Sequence, residues 1–505
     1  MSQTTRRSFI KAGVWTGLGA ATLATFNGKS APAASGLQST APSQFAPADF
    51  GLTALGKMKT RPSLSIKASH LSLGFETLDR RMFEPEKTYS LVAELGVKWA
   101  RCQTGWARTE TKKGEYDFAW LDDVVDSLLK IGVQPWFSLS YGNKLYTPQS
   151  PHEYAVGWVP LNSEEAKQGW VNYTRKIAER FRTRVSHWEI WNESDASNFW
   201  QPAKPSPEQY VELVKLSATE IRRFAPNAVI VGGALAYIPR SLDFLEGCLE
   251  LGLAQYVNRI SYHPYRQSPE ANYEAEVRAF RSLLARYKPG IELWQGENGC
   301  PSRNDGGYAL SGYDWNETRQ AKWLLRRLLT DLKLNIELTS YLHIVDMHNY
   351  VIQSGMSAKV NYKGLLDGQT YKPKPSYFAF RNLCALFDAE TKPADFVIRS
   401  VGREADDVYT ASFVRQGVPV FARWLPVSLQ RDTPTQPSAV ELWSGKAARM
   451  TEPVLVDLLT GQVHKIEQAQ FSGGWWKIEN LPLTDYPLVI TDAALVKSNA
   501  MGEVK

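Results

Sequence analysis

Histidine and cysteine are scarce in this chain, with seven of the first and four of the second among 505 residues. Cys102, Cys248, Cys300 and Cys384 lie too far apart for a Cys-x-x-Cys zinc site. The histidines, at 70, 152, 187, 263, 343, 348 and 464, offer no His-x-His pair on an early strand, so metal-dependent hydrolase chemistry is not indicated. No cofactor and no metal are expected. No uninterrupted apolar run reaches the roughly 18 residues of a membrane span, so a stable span is not expected either. What is present is an ordinary globular composition, 43% hydrophobic and 22% charged.

A lasting basic excess is also missing. The first residues, "TTRRSFIKAGVWTGLGAATLATFNGKSAPAAS", combine Arg6 and Arg7, a weakly apolar stretch and a small-residue cleavage site. They resemble a twin-arginine export signal, which implies a periplasmic or extracellular destination. Removing residues 1–34 takes away Arg6, Arg7, Lys11 and Lys29 and no acidic residue, so the net charge falls from +6 to +2. That leaves no electrostatic case for nucleic acid as a partner. Export by this route moves a folded chain, so buried, reduced cysteines are expected although an even count permits disulfides. Oligomeric state is not readable.

From residue 66 to 388 short β-branched or aromatic runs alternate with amphipathic stretches. Eight strands are predicted: "SLGFE" (72–76), "KWARC" (98–102), "QPWFSL" (134–139), "HWEIW" (187–191), "VIVGG" (229–233), "RISYH" (259–263), "ELWQG" (292–296) and "TSYLHIV" (339–345). Helical spacing marks 119–132, 164–182, 206–226 and 316–332 between them, with Ser206 and Pro207 placed as N-cap and first helical residue. Eight such units match a (β/α)8 barrel. Residues 389–497 show strand runs broken by Gly and Pro and predict a small all-β sandwich, while 35–65, rich in Ser, Ala, Pro and Thr, reads as a linker that could lend the sandwich a strand.

Barrel chemistry sits at the carboxyl ends of the strands. There the sequence places Arg101 after strand two, Asn192 and Glu193 after strand four, His263 and Tyr265 after strand six, and Glu297 after strand seven. Glu193 and Glu297 are three βα units apart and face each other across the mouth. Two facing carboxyls suit glycoside cleavage, one protonating the departing oxygen while the other attacks the anomeric carbon or guides water to it. Trp106, Tyr141 and Trp200, in loops after strands two, three and four, are candidates for stacking on sugar faces, and Asn143 is a comparable binding candidate. Core packing is the bland alternative for each.

The segments "GVKWARCQTGW", "WEIWNESD", "ISYHPY" and "GLLDGQTYKPKPSYFAFRNL" are similar to glycoside hydrolase family 39, the family of β-xylosidases and α-L-iduronidases, within the clan of retaining (β/α)8 glycosidases. The resemblance implies Glu193 as acid/base, Glu297 as nucleophile, and Asn192 on the sugar 2-hydroxyl. It implies further that Arg101 and Tyr265 orient Glu297 and that His263 bonds near Glu193. Two departures stand out: Ser194 replaces the clan's Pro, and strand eight offers Leu342 or His343 where the clan presents Trp. The expectation is an exported retaining hydrolase of a poly- or oligosaccharide, β-xylosidase-like or related. The alternatives are a catalytically silent carbohydrate-binding protein on the same scaffold and an endo-acting exopolysaccharide hydrolase.

Overall fold

The computed structural model describes residues 38–39, 41–236, 240–350, 359–404, 407–446, 448–496 and 498–499. The segment read as an export signal lies outside them.

Eight parallel strands close into a barrel in chain order: β1 (Leu71–Gly74), β2 (Trp99–Gln103), β3 (Gln134–Leu139), β4 (His187–Ile190), β5 (Val229–Leu235), β6 (Arg259–Tyr262), β7 (Glu292–Asn298) and β8 (Leu338–Tyr341). Each of the eight predicted runs falls on one of these strands. The helices between them follow the apolar period: Glu164–Phe181 turns Trp170, Tyr173, Ile177 and Phe181 onto the barrel, and Ser163 caps it by accepting from the amide of Ala166 at 3.1 Å. Pro207–Phe224 begins as the sequence predicts, with the Ser206 hydroxyl accepting from the Gln209 amide.

The barrel interior is stratified. Strand side chains alternate inward and outward, so each strand contributes every second residue to successive layers. The floor is aromatic, with Trp136 and Trp294 edge to face at 5.1 Å and Trp99 and His187 beside Trp294. One layer up the character turns polar, with Arg101, Ser138, Glu189 and Ser261, all buried. The layer above that opens at the mouth.

After the last barrel helix, Pro375–Leu386, the chain builds an eight-stranded and a four-stranded antiparallel sheet. The stretch read as a linker contains the strand Leu52–Met58, which pairs antiparallel with Gln462–Ile466 in the larger sheet. Buried polar contacts tie barrel to sandwich: Lys322 to Asp485, Arg326 donating to the Val427 carbonyl at 2.7 Å, and the Trp424 indole donating to Glu270. All four cysteines are buried and free. Among the described residues no helix is long and apolar enough to cross a membrane.

Candidate active site

Glu193 follows β4 in a backbone conformation that side chains rarely adopt, with φ 51°, and Trp191 two residues earlier has φ 69°. Such left-handed turns cost a non-glycine residue free energy and persist where surrounding bonds enforce them. Here the Glu193 amide donates to the Ala234 carbonyl at 2.8 Å, and the Ala196 amide donates to the Glu193 carbonyl at 3.0 Å. Ser194, where the clan has Pro, is buried with its hydroxyl donating to the Gly233 carbonyl. The turn thus aims the Glu193 carboxyl at the barrel axis.

Glu297 arrives from the opposite wall, where the pairing of β7 with β8 shifts register between Gln295 and Asn298. Its carboxylate accepts from Tyr265 Oη at 2.8 Å and from Arg101 Nη1 at 2.7 Å. Gly296 lets the layers approach, because a Cβ there would sit 3.3 Å from Glu189 Oε1. His263 bridges the pair, with Nδ1 3.0 Å from Glu193 Oε1 and 3.9 Å from Glu297 Oε2. One oxygen of each glutamate and a nitrogen of His263 all lie within 4.8 Å of one another. Both glutamates remain 15% exposed, so the pair faces the mouth.

The two carboxyls differ in charge preference. Burial raises the Glu193 pKa above the usual carboxylate range, and the negative charge of Glu297 adds to this against the pull of His263. Burial also acts on Glu297, but the charges of His263 and Arg101 and the bonds from Tyr265 and Arg101 outweigh it and lower its pKa. His263, which burial alone would make less basic, is held more basic than usual by Glu297 and Glu193. The arrangement thus drives the two pKa values apart, favouring the proton on Glu193 and the charge on Glu297.

Arg101 organises the layer beneath. Its guanidinium donates to Glu189 from Nε at 2.9 Å and Nη2 at 2.6 Å, to Asn192 Oδ1 at 2.8 Å, and to Glu76 Oε1 at 3.2 Å. Ser261 donates to the other Glu189 oxygen at 2.6 Å. Glu76, just past β1, is pushed by burial up to about 8 despite Arg101 beside it, so it carries a proton near neutrality. Sequence reasoning missed Glu76 and Glu189. For Glu189 the signal was the alternation itself, since it shares parity with His187 on β4; Glu76 stands two residues past β1, where alternation gives no signal.

Of the predicted residues, Arg101, Asn192, Glu193, His263, Tyr265 and Glu297 converge. Tyr141 belongs to the wall beside them, its ring 5.4 Å from the Arg80 guanidinium and its hydroxyl accepting from Gln103. Trp106 does not reach the mouth: it is fully buried, stacked on Tyr146 and Tyr173, with its indole donating to Glu110. Trp200 is likewise sealed, donating to Gln209 and packed edge-on to Trp191. A buried indole offers no face to a sugar. Asn143 is spent on tying two loops together, donating to the Glu110 carbonyl after β2 and accepting from the Leu145 amide of its own loop. Strand β8 ends at Tyr341, so Leu342 and His343 lie beyond it; His343 is buried with Nε2 3.0 Å from the Glu76 carbonyl oxygen, and no indole occupies the place.

Glu193, Glu297 and His263 also form a set that could ligate a metal ion. A cation there would face the Arg101 guanidinium 2.7 Å from Glu297, a repulsion that disfavours it.

Several known proteins resemble this chain. The model for glycosyl hydrolases family 39 matches residues 89–289. A β-xylosidase of Caldicellulosiruptor saccharolyticus is 27% identical over 320 residues, covering 57% of this chain and 62% of its own length. Beta-glucosidase 1B of Phanerodontia chrysosporium is 33% identical over 109 residues, 20% of this chain and 19% of that protein. The chain thus spans less than two thirds of these curated relatives. Among solved structures, a family 39 glycoside hydrolase of Bacteroides cellulosilyticus WH2 superposes with TM-score 0.62 at 18% identity, covering 85% of this chain and 81% of that one. A β-xylosidase of Caulobacter crescentus CB15 gives 0.56 at 16% identity, over 87% and 97%. At such identities the structures speak for the fold.

Proposed function

Because the family 39 glycosyl hydrolase model matches residues 89–289 of the barrel, we propose that the chain cleaves O-glycosidic bonds of a poly- or oligosaccharide with retention at the anomeric carbon. The observation that carries this reading is the pair itself: Glu193 and Glu297 face each other with oxygens within 4.8 Å, the first pushed toward its protonated form and the second toward its ionised form. Retaining glycosidases hold their carboxyls about 5–5.5 Å apart, whereas inverting ones leave about 6.5–9.5 Å for a water.

In the first step a Glu297 oxygen bonds to the anomeric carbon as the bond to the departing oxygen breaks, and Glu193 transfers its proton to that oxygen. In the second, Glu193 takes a proton from water as the water oxygen displaces Glu297, restoring both groups. Asn192, oriented by Arg101, is positioned for the 2-hydroxyl, where a hydrogen bond strengthens as positive charge develops. A β-linked substrate, with β-xylosidase-like or related β-glycosidase action, fits the named relatives. Export fits the Arg6-Arg7 leader.

The test is a 2-fluoro glycoside with a dinitrophenyl leaving group. Mass spectrometry of the digested protein should find one sugar attached to Glu297. A protein that binds glycans without turning them over would show no adduct.

A further inference from the structure

We infer that the sandwich, rather than the barrel, carries a second binding site: Arg403 and Arg423 together take a small inorganic oxyanion of the phosphate or sulfate kind. Arg423 lies on the strand Val418–Trp424 of the larger sheet, and Ser438 on the strand Gln436–Trp443 of the four-stranded one. Neighbouring strand residues point to opposite faces, so while the Trp424 indole turns to Glu270, Arg423 turns the other way, toward the second sheet. There its Nη2 donates to the Ser438 hydroxyl, which in turn donates to the Leu481 carbonyl at 2.9 Å. Arg403, in the turn after the strand Val397–Val401, donates from Nη2 to Gln436 Oε1. Gln436 and Ser438 are alternate residues of one strand and share a face, about 7 Å apart, which brings the two guanidiniums side by side.

These two charges have nothing to balance them. Arg423 is 1% exposed, and its Nη1 has no hydrogen-bond partner. Among the described residues the charge that acts on it is of its own sign: burial first, and then Arg403, lower its pKa to about 10, which still leaves a cation at neutral pH. Neither arginine makes an ion pair among those residues. On the turn that holds Arg403, Glu404 and Asp407 are exposed, and Asp407 accepts from the Glu404 amide at 3.3 Å. Next to Arg423 along the chain the surroundings are apolar, with Leu425 buried against Val408 and Leu483. A buried charge without a counter-charge is among the least favourable states in a fold, and arginine cannot escape it by shedding its proton. An oxyanion accepting from Arg423 Nη1 and from the half-buried Arg403 satisfies the idle donor and removes the repulsion, in the forked geometry that guanidinium favours.

The test is calorimetric titration of the full chain with inorganic phosphate and with sulfate, in chloride buffer of matched ionic strength, beside thermal unfolding in the same solutions. One oxyanion should bind per chain, and the unfolding midpoint should climb with its concentration, as for any ligand of the folded state alone. Chloride brought to the same ionic strength should give no such climb. Arg403→Gln, at a half-buried turn position, should weaken binding about tenfold or more, since it removes a charged fork. Arg423→Met should abolish binding, and without oxyanion it should unfold no earlier than the natural chain, because it takes away an unbalanced charge. If Arg423→Met does not fold, Arg403→Gln alone decides. Absence of binding, binding that Arg403→Gln leaves unchanged, or an equal climb with chloride overturns the inference, the last because it would mean general screening of two like charges.

Discussion

Tyr265 and Arg101 share the task of keeping Glu297 charged, and their contributions separate by pH. Tyr265→Phe removes a hydrogen bond to the ionised form, so the Glu297 pKa must rise. Because kcat/KM needs Glu297 ionised and Glu193 protonated, the acid limb belongs to Glu297 and the alkaline limb to Glu193. The acid limb should therefore move up by about one pH unit, since a bond to a charged group is worth roughly 1.5–3 kcal/mol and part of it is screened at the open mouth. The alkaline limb should stay nearly in place. A profile of kcat/KM that shifts downward, or that loses its alkaline limb, would contradict the roles given to both glutamates.

Glu193→Gln gives a second prediction at this scale. Without the acid, hydrolysis of an unactivated glycoside should fall by about 10²–10⁴-fold, the usual worth of general acid–base catalysis. Formation of the glycosyl-enzyme from a dinitrophenyl glycoside, whose leaving group needs no proton, should suffer far less. Pre-steady-state release of dinitrophenol is the measurement. Equal losses for both leaving groups would mean that Glu193 acts through binding or structure.

At the scale of elements, strand identity was legible because a parallel strand buried on both faces must be apolar and β-branched over a short run. The eight runs gave themselves away, and with them the ends at which Arg101, Glu193, His263, Tyr265 and Glu297 stand. What was not legible is where a side chain goes once a strand has become a loop. Trp106 and Trp200 sit at the right ends of the right strands, but one opens a short helix, Trp106–Thr109, and turns back onto Trp170, while the other packs on Tyr210. Periodicity carries no information past a strand's last residue, which is also why β8 was extended to 345 although it ends at Tyr341. Inside the strands the information was present: parity alone marks Glu189 as inward, whereas Glu76 lies two residues past the end of β1. One helix cap, Ser206, was legible too, and the Ser163 cap that the structure adds is testable singly. Ser163→Ala should cost about 1 kcal/mol, because the Ala166 amide loses its acceptor at a helix end facing solvent. Denaturation midpoints should record that loss with kinetics untouched.

For the whole molecule, the sandwich reads as a partner in the fold of the barrel, since the seam between them contains charges that neither side satisfies alone. Lys322, on the helix Glu317–Lys333, is 6% exposed and donates to both Asp485 oxygens at 2.8 and 2.9 Å, with Asp485 1% exposed. Removing one member of such a pair strands the other in a medium that cannot solvate it, which costs about 3–5 kcal/mol. Asp485→Ala should therefore destabilise barrel and sandwich together, seen as one cooperative transition at a lower denaturant midpoint. Replacing both members with apolar residues of similar length, Lys322→Met with Asp485→Leu, should recover most of the loss, because the penalty comes from the uncompensated charge and not from the missing attraction. If the double variant is no more stable than Asp485→Ala, the seam depends on packing specific to the ion pair. If Asp485→Ala unfolds the sandwich while the barrel keeps its activity, the two parts are energetically independent despite the polar contacts between them.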